Sequence, residues 1–336
     1  MTLLNTIVLD DISQAAEILR RGGLVAFSTE TVFGLGADAT NISALAKLFA
    51  AKGRPSDNPL IVHVAEVDQW PIVARTMPEV AERLLAKFAP GPLTVVLPKH
   101  SSICDSVTAG LDTVGLRIPN HSQARSLIAA AGVPIAAPSA NRSGLPSGTT
   151  WQTVLEDLDG RIDAVLRGST CAIGIESTVV DCVSKPPRLL RPGAISLAEL
   201  QSIAPELRVY APTDDRDATA NSPGLRHPHY KPSAVVHSVE GASQADRMMK
   251  SQPKSAAKLE QHLANCAYCG LDESKLASYL GASRRFESVE EYAHALYEFM
   301  RSVDRLGIQF LYCQRPSARG IGAALNDRLT RAASPK

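Results

Sequence analysis

Lys52-Gly53-Arg54-Pro55-Ser56-Asp57-Asn58-Pro59 runs directly into the apolar stretch Leu60-Ile61-Val62-His63-Val64. Before it, Ala44, Leu45, Leu48 and Phe49 put one apolar face on a short helix. After it, the apolar run has the length of a buried strand. Helix, proline-stiffened polar loop and strand in that order form a repeating unit of an α/β sheet. Arg54 offers a planar fork of donors and Lys52 a compact charge, a pair suited to a polyphosphate. The same two cations also suit the C-terminal end of a helix, where the helix dipole favours positive charge. No G-x-x-x-x-G-K-[ST] occurs, which excludes an ordinary P-loop.

Working outward, the first two hundred residues keep this alternation. Thr6 to Leu9, Leu24 to Phe27, Leu93 to Leu97, Val114 to Ile118 and Val133 to Ala136 read as further strands, with Ser13 to Arg21 as a helix. Thr178 to Asp181 and Arg188 to Leu190 read as late strands of the same sheet. Proline and glycine punctuate the strand ends, as at Pro90-Gly91-Pro92 and Pro192-Gly193. Residues 1–206 therefore read as one α/β domain. Residues 207–233, rich in proline and aspartate, read as a semi-stiff linker. Residues 234–336 read as a smaller α/β unit, with strands over Val235 to Val239 and Ile308 to Cys313. Val289, Tyr292, Ala293, Leu296, Phe299, Met300 and Val303 follow helical spacing within it, and Ile321 to Ala332 reads as a closing helix.

Several motifs carry both a chemical and a structural meaning. Gly34-Leu35-Gly36-Ala37-Asp38-Ala39 matches the G-x-G-x-x-A form of a dinucleotide fingerprint, with Asp57 near the position of the ribose-binding acid. Yet Ser28 to Thr31 separate it from the strand ending at Phe27, so a glycine turn before a helix fits better than a nicotinamide or flavin site. Pro138-Ser139-Ala140-Asn141-Arg142-Ser143-Gly144 follows a strand and precedes a helix that begins near Thr150. It can cradle an anion or simply form a turn, with Ser147 or Thr149 capping the helix. Arg117 and His63 interrupt apolar strands, and a charge there needs a partner: an internal acid or a substrate carboxylate for Arg117. Arg191 admits a surface role. His262, Cys266 and Cys269 could supply three metal ligands, but no fourth is evident.

The bulk numbers bound the alternatives. With 336 residues and 45% hydrophobic content the chain can build two cores. Lys plus Arg (35) nearly balance Asp plus Glu (34), so any anion site must be local, and at most a local patch would hold RNA. No basic-then-apolar opening follows Met1, no run reaches membrane-spanning length, and six scattered cysteines make no disulfide framework. A cytoplasmic protein without a membrane role is expected.

Taken together, Ser28 to Gly36, Lys52 to Val64, Pro90 to Thr94, Gly115 to Pro119, Ala137 to Asn141, Ser177 to Asp181 and Leu190 to Gly193 resemble the YrdC-like L-threonylcarbamoyladenylate synthases. Ser222-Pro223-Gly224 with His229-Tyr230, and Gly320 to Leu329, resemble the longer, two-domain members. The resemblance implies a YrdC-like twisted mixed sheet flanked by helices, plus a Rossmann-like α/β C-terminal domain. It implies a nucleotidyltransferase that condenses L-threonine, bicarbonate and ATP into threonylcarbamoyl-AMP and pyrophosphate. That product serves the threonylcarbamoyl-adenosine modification of tRNA and implies transient contact with the transferase that uses it. Magnesium is expected, carried mainly by ATP.

On the matching positions, the resemblance implies that Lys52 and Arg54 neutralise phosphate charge, with Ser56 and Asn58 completing that lobe. Thr31, His63, Arg117, Ala137 and Ser177 are expected around threonine, with Arg117 on its carboxylate. Thr113, Ser139, Asn141, Ser147 and Arg191 are expected around the nucleotide, with Tyr230 folding over it as a lid. Phe33 stands where the family often has tyrosine, and Pro228 modifies the linker cluster. The competing possibilities are a non-catalytic module binding double-stranded RNA or nucleotide, and a carbamoyl-phosphate-linked transferase.

Overall fold

The computed structural model describes residues 5–210, 230–252 and 256–334. The linker cluster Ser222 to His229, Pro228 included, lies outside the described residues. The chain divides into two compact units, Met1–Ser143 with Ser147–His227, and Gly144–Pro146 with Pro228–Lys336.

In the first unit the elements follow one another as β1 (Ile7–Leu9), α1 (Ile12–Arg20), β2 (Val25–Phe27), β3 (Gly34–Asp38), α2 (Ile42–Lys52), β4 (Ile61–His63), α3 (Glu79–Phe88) and β5 (Leu93–Pro98). Next come α4 (Asp105–Thr108), β6 (Thr113–Arg117), α5 (Ser122–Ala131), β7 (Ile135–Ala136), α6 (Trp151–Leu158), β8 (Ala164–Leu166), β9 (Thr178–Asp181), β10 (Arg188–Arg191), α7 (Leu197–Ile203) and β11 (Arg208–Val209). The eleven strands form one mixed sheet in the order β1-β8-β2-β3-β7-β4-β6-β5-β9-β10-β11. Both faces are covered. Val62, Leu116, Val95 and Val180 join one core cluster, while Val25, Phe27, Ile135 and Leu166 join another. Double coverage is why these strands read as nearly continuous apolar runs.

Gly34 to Asp38 correct the sequence expectation. They form strand β3, antiparallel to both β2 and β7, rather than a turn leading into a helix. Here the glycines serve close packing: a Cβ on Gly36 would stand 2.9 Å from the Phe27 ring and 3.0 Å from Ile135. The dinucleotide reading is excluded by the same strand. Thr150, whose side chain accepts from Thr153 N, is the cap of α6, so Ser147 and Thr149 are released from that role. Leu207 is buried and Arg208–Val209 pair with β10, so the sheet continues past residue 206.

The second unit contains β12 (Val235–Val239), α8 (Ala242–Ser251), α9 (Ala256–Ala264), β13 (Cys266–Gly270), β14 (Ala282–Arg285), α10 (Val289–Arg305), β15 (Phe310–Gln314) and α11 (Gly322–Ala333). Its four strands are all parallel, in the order β12-β15-β13-β14. Ser288 caps α10, and the predicted apolar face is buried from Tyr292 to Val303. The C-x-x-C motif lies within β13, where residues three apart face opposite sides of the sheet. Cys266 Sγ lies 3.5 Å from His262 Nε2, whereas Cys269 Sγ lies 3.5 Å from Cys313 Sγ. The three possible ligands therefore do not converge, and among the described residues no group of three His, Cys, Asp or Glu could hold a metal. Burial pushes the Cys266 thiol up to about 11, away from metal-binding or redox reactivity. No helix among the described residues is long and apolar enough to cross a membrane.

Candidate active site

Strand register assembles the first half of the site. His63 on β4 pairs with Arg117 on β6, and Arg117 pairs with Thr94 on β5. Thr94 in turn pairs with Val179 on β9, and Ser177 lies two residues before it. Cross-strand partners share a face, as do residues two apart. The result is a polar row on a sheet whose opposite face is core, and every member is buried: His63 and Arg117 are 3% and 5% exposed, Thr94 and Ser177 still less. Burying such groups is costly unless they are satisfied.

Arg117 faces Glu30, which enters from the loop between β2 and β3. Its Nη2 stands 2.8 Å from Glu30 Oε1, and both side chains are buried. The two charges are close but not aligned as a hydrogen bond. Both Glu30 oxygens, Arg117 Nε and Nη2, and His63 Nδ1 have no hydrogen-bond partner. Thr31, fully buried beside Glu30, shares its hydroxyl with Thr29 at 2.9 Å. At the other end of the row, Ser177 Oγ lies 2.8 Å from Thr94 Oγ1. Arg191 donates through Nε to the Ser177 carbonyl (3.1 Å) and through Nη2 to its hydroxyl (3.2 Å). It is 5% exposed, which overturns the surface alternative.

The second half is built around the end of α2. Gly53 closes this helix in the left-handed conformation, and Lys52 turns inward instead of into solvent. Its Nζ donates to the carbonyls of Ser139 and Asn141, both at 2.5 Å, and the residue is 3% exposed. Burial, then the nearby Arg54 charge, holds the Lys52 ammonium well below the usual lysine range, partly offset by Asp157. Arg54 clasps its own loop, donating to the carbonyls of Asn58 and Pro59 at 3.3 and 2.9 Å. Asn58 is buried, while Ser56 is exposed at the loop surface. The loop after β7 links the two halves. Ala137 N donates to Ile61 O at 3.0 Å, near His63, and Asn141 O reaches Lys52. Ser139 Oγ donates to Asn141 Oδ1 at 2.5 Å, and Ser147 Oγ donates to Glu176 Oε1 at 2.6 Å. Phe33 is wholly buried in the core cluster.

Two predicted residues are not brought to this centre by the first unit. Thr113 begins β6, four residues and roughly 13 Å of strand from Arg117. Tyr230 belongs to the second unit, where it stacks on Tyr297 (centroids 5.4 Å apart) under the Arg328 guanidinium. Conversely, Glu30, Thr94 and Glu176 escaped the sequence analysis. An acid inside a run of hydroxyl residues, as in Ser28-Thr29-Glu30-Thr31, was the available signal for Glu30.

The imidazole of His63 gives a stability test. Burial, reinforced by Arg117, pulls it down to about 3 from 6.5. The folded protein keeps His63 neutral, while the unfolded chain takes up a proton below 6.5. Stability from this group is full above pH 6.5 and is lost as pH falls toward 3, at about 1.4 kcal/mol per pH unit. Urea unfolding of wild type and His63→Gln between pH 7 and 5 should show a shallower decline in the variant. Parallel slopes would refute a buried neutral imidazole.

Two family models together match most of the chain, and the second begins before the first compact unit ends. Residues 17–193 match the Sua5/YciO/YrdC family model, described as Telomere recombination, and residues 195–334 match the Threonylcarbamoyl-AMP synthase, C-terminal domain. The chain is similar to the threonylcarbamoyl-AMP synthase of Pyrococcus abyssi (strain GE5 / Orsay), 41% identical over 319 residues, covering 95% of this chain and 92% of that protein. It is 40% identical to the threonylcarbamoyl-AMP synthase of Bacillus subtilis (strain 168) over 323 residues, covering 96% and 92%. The crystal structure of P. abyssi Sua5 complexed with L-threonine superposes with a TM-score of 0.88 at 38% identity, covering 99% of this chain and 98% of that one.

Proposed function

The chain belongs to the two-domain threonylcarbamoyl-AMP synthase family, and from that membership we propose that it condenses L-threonine, bicarbonate and ATP into threonylcarbamoyl-AMP and pyrophosphate. The observation that carries this reading is the buried charge arrangement: an Arg117–Glu30 pair with unfilled hydrogen-bonding capacity in the same unit as a buried Lys52.

In the reaction, the threonine amine attacks the bicarbonate carbon and water leaves, giving a carbamate. A carbamate oxygen then attacks the α-phosphorus of ATP, the bond to the bridging oxygen breaks, and pyrophosphate departs. Both reacting partners are anionic in the second step, so the barrier is largely electrostatic and orientational. Arg117 holds the threonine carboxylate, with Thr31, His63, the Ala137 backbone and Ser177 around the rest of the amino acid. Lys52 has two N–H groups on protein carbonyls and directs the third to phosphate, with Arg54, Ser56 and Asn58 beside it. Thr113, Ser139, Asn141, Ser147 and Arg191 are the residues assigned to the nucleotide in this unit. His63, held neutral, adds no second cation and can serve as a hydrogen-bonding partner. Magnesium is expected with ATP and would be carried mainly by the triphosphate. The product feeds the threonylcarbamoyl-adenosine modification of tRNA through a transferase, in a cytosolic setting.

The test is direct. Purified protein with ATP, magnesium, bicarbonate and radiolabelled threonine should release pyrophosphate and threonylcarbamoyl-AMP in equal amounts. Omitting threonine or bicarbonate should abolish both. Pyrophosphate release that ignores threonine would overturn the assignment.

A further inference from the structure

The geometry points to Glu30 as the residue that reads the substrate's α-ammonium, so that Glu30 and Arg117 together clamp an amino-acid zwitterion. Threonine is taken as the substrate, as proposed above, and Glu30 is an addition to the residues assigned there.

Glu30 is 7% exposed, and neither carboxylate oxygen accepts a hydrogen bond. A buried carboxylate without donors is among the most costly groups a fold can carry. Its neighbour does not resolve the matter: Arg117 lies 2.8 Å away, yet its Nε and Nη2 are themselves without hydrogen-bond partners. A structural salt bridge of this burial would be expected to align its donors and acceptors, because alignment repays desolvation. Two opposite charges are instead held side by side with their directional capacity unspent. An α-amino acid carries its ammonium and carboxylate on the same carbon, close together and with complementary signs. Such a ligand satisfies both residues at once, carboxylate on Arg117 and ammonium on Glu30.

Location supports the assignment. Glu30 immediately precedes Thr31, and its partner Arg117 pairs in register with His63. The loop carrying Glu30 is anchored from the far side, where Ile173 N donates to the Glu30 carbonyl at 2.8 Å and Gly174 N to that of Thr31 at 3.0 Å. Its placement is therefore fixed by backbone bonds and does not depend on the side-chain pair.

The experiment compares two ligands by calorimetric titration: L-threonine, and 3-hydroxybutanoate, which keeps the carboxylate and hydroxyl but lacks the ammonium. Glu30→Gln should weaken L-threonine binding roughly 10- to 100-fold, the worth of a charge-assisted hydrogen bond. Its affinity for 3-hydroxybutanoate should equal or exceed that of wild type, which also shows that the Arg117 pocket remains folded. Glu30→Asp, which keeps the charge, should retain the preference for the ammonium ligand at lower affinity. Equal loss of both ligands would reduce Glu30 to a support for Arg117 and overturn the assignment. So would unchanged L-threonine binding in Glu30→Gln. Failure of the wild type itself to bind L-threonine would instead sink the proposed function.

Discussion

Lys52→Met should lower the rate of threonylcarbamoyl-AMP formation by about 100- to 1000-fold while leaving the protein folded. The rate estimate is the typical cost of deleting one positioned charge or donor from a site that stabilises developing negative charge. Methionine keeps the length and packing of the stem, so the change isolates the ammonium. Two opposing terms set the effect on stability. The carbonyls of Ser139 and Asn141 lose their donor, costing about 1–3 kcal/mol each if left unsatisfied. Against that, a buried charge and its desolvation penalty disappear, which is why its pKa is depressed in the first place. The two largely cancel, so activity should collapse with only a small shift in melting temperature. Lys52→Arg should not rescue, because a planar guanidinium cannot place a compact donor between two carbonyls that both lie 2.5 Å from Nζ. Single-turnover assays beside thermal melts decide it. Activity within threefold of wild type in Lys52→Met would remove Lys52 from the chemistry.

Gly193→Ala should be among the most destructive single methyl groups in the first unit. A Cβ at this position would stand 2.2 Å from Thr178 N and 2.6 Å from the Ser177 carbonyl carbon. Both are backbone atoms in or beside β9, so no rotamer change relieves the contact. Either β9 moves, dragging Ser177 out of the polar row, or the segment after Arg191 moves, releasing Arg191 from Ser177. The expected cost is about 3 kcal/mol or more, at the upper end for overpacking. L-threonine binding should be lost in any fraction that folds. Gly132→Ala makes the contrast: its Cβ meets nothing within 4 Å, and only its positive φ of 70° is unfavourable. About 1 kcal/mol is expected there. Calorimetric melts of the two variants should therefore differ clearly, and equal shifts would mean that the close approach at Gly193 relaxes freely.

These two cases also mark what a sequence can reveal. Thr178 to Asp181 and Val235 to Val239 were legible as strands because β-branched, apolar runs stand out against polar flanks. β3 was not, since Gly34-Leu35-Gly36-Ala37-Asp38 has the composition of a turn and becomes a strand only because Phe27 and Ile135 need a flat neighbour. The site divides the same way. His63 and Arg117 were visible as polar interruptions of apolar strands, where burial makes a polar group expensive. Lys52 and Arg54 stood out by their spacing in a stiff loop. Glu176 was hidden, and Glu30 was signalled only by its place in a hydroxyl run, because their burial is created by strands far away in sequence.

Strand β8 is the last piece placed between β1 and β2, pairing Val8 with Val165 and Val25 with Ala164. During synthesis the first two strands therefore wait for the ribosome to reach residue 166. At ordinary elongation rates that interval is on the order of 10 s, far longer than hydrophobic collapse. Throughout it, β2 has an unpaired edge on the side that β8 will fill, a template for any extended chain nearby. The growing polypeptide is thus a natural client for holding chaperones. Truncation before Ala164 should yield aggregates in place of a smaller soluble domain, even though Lys52, His63 and Arg117 have all been made by then.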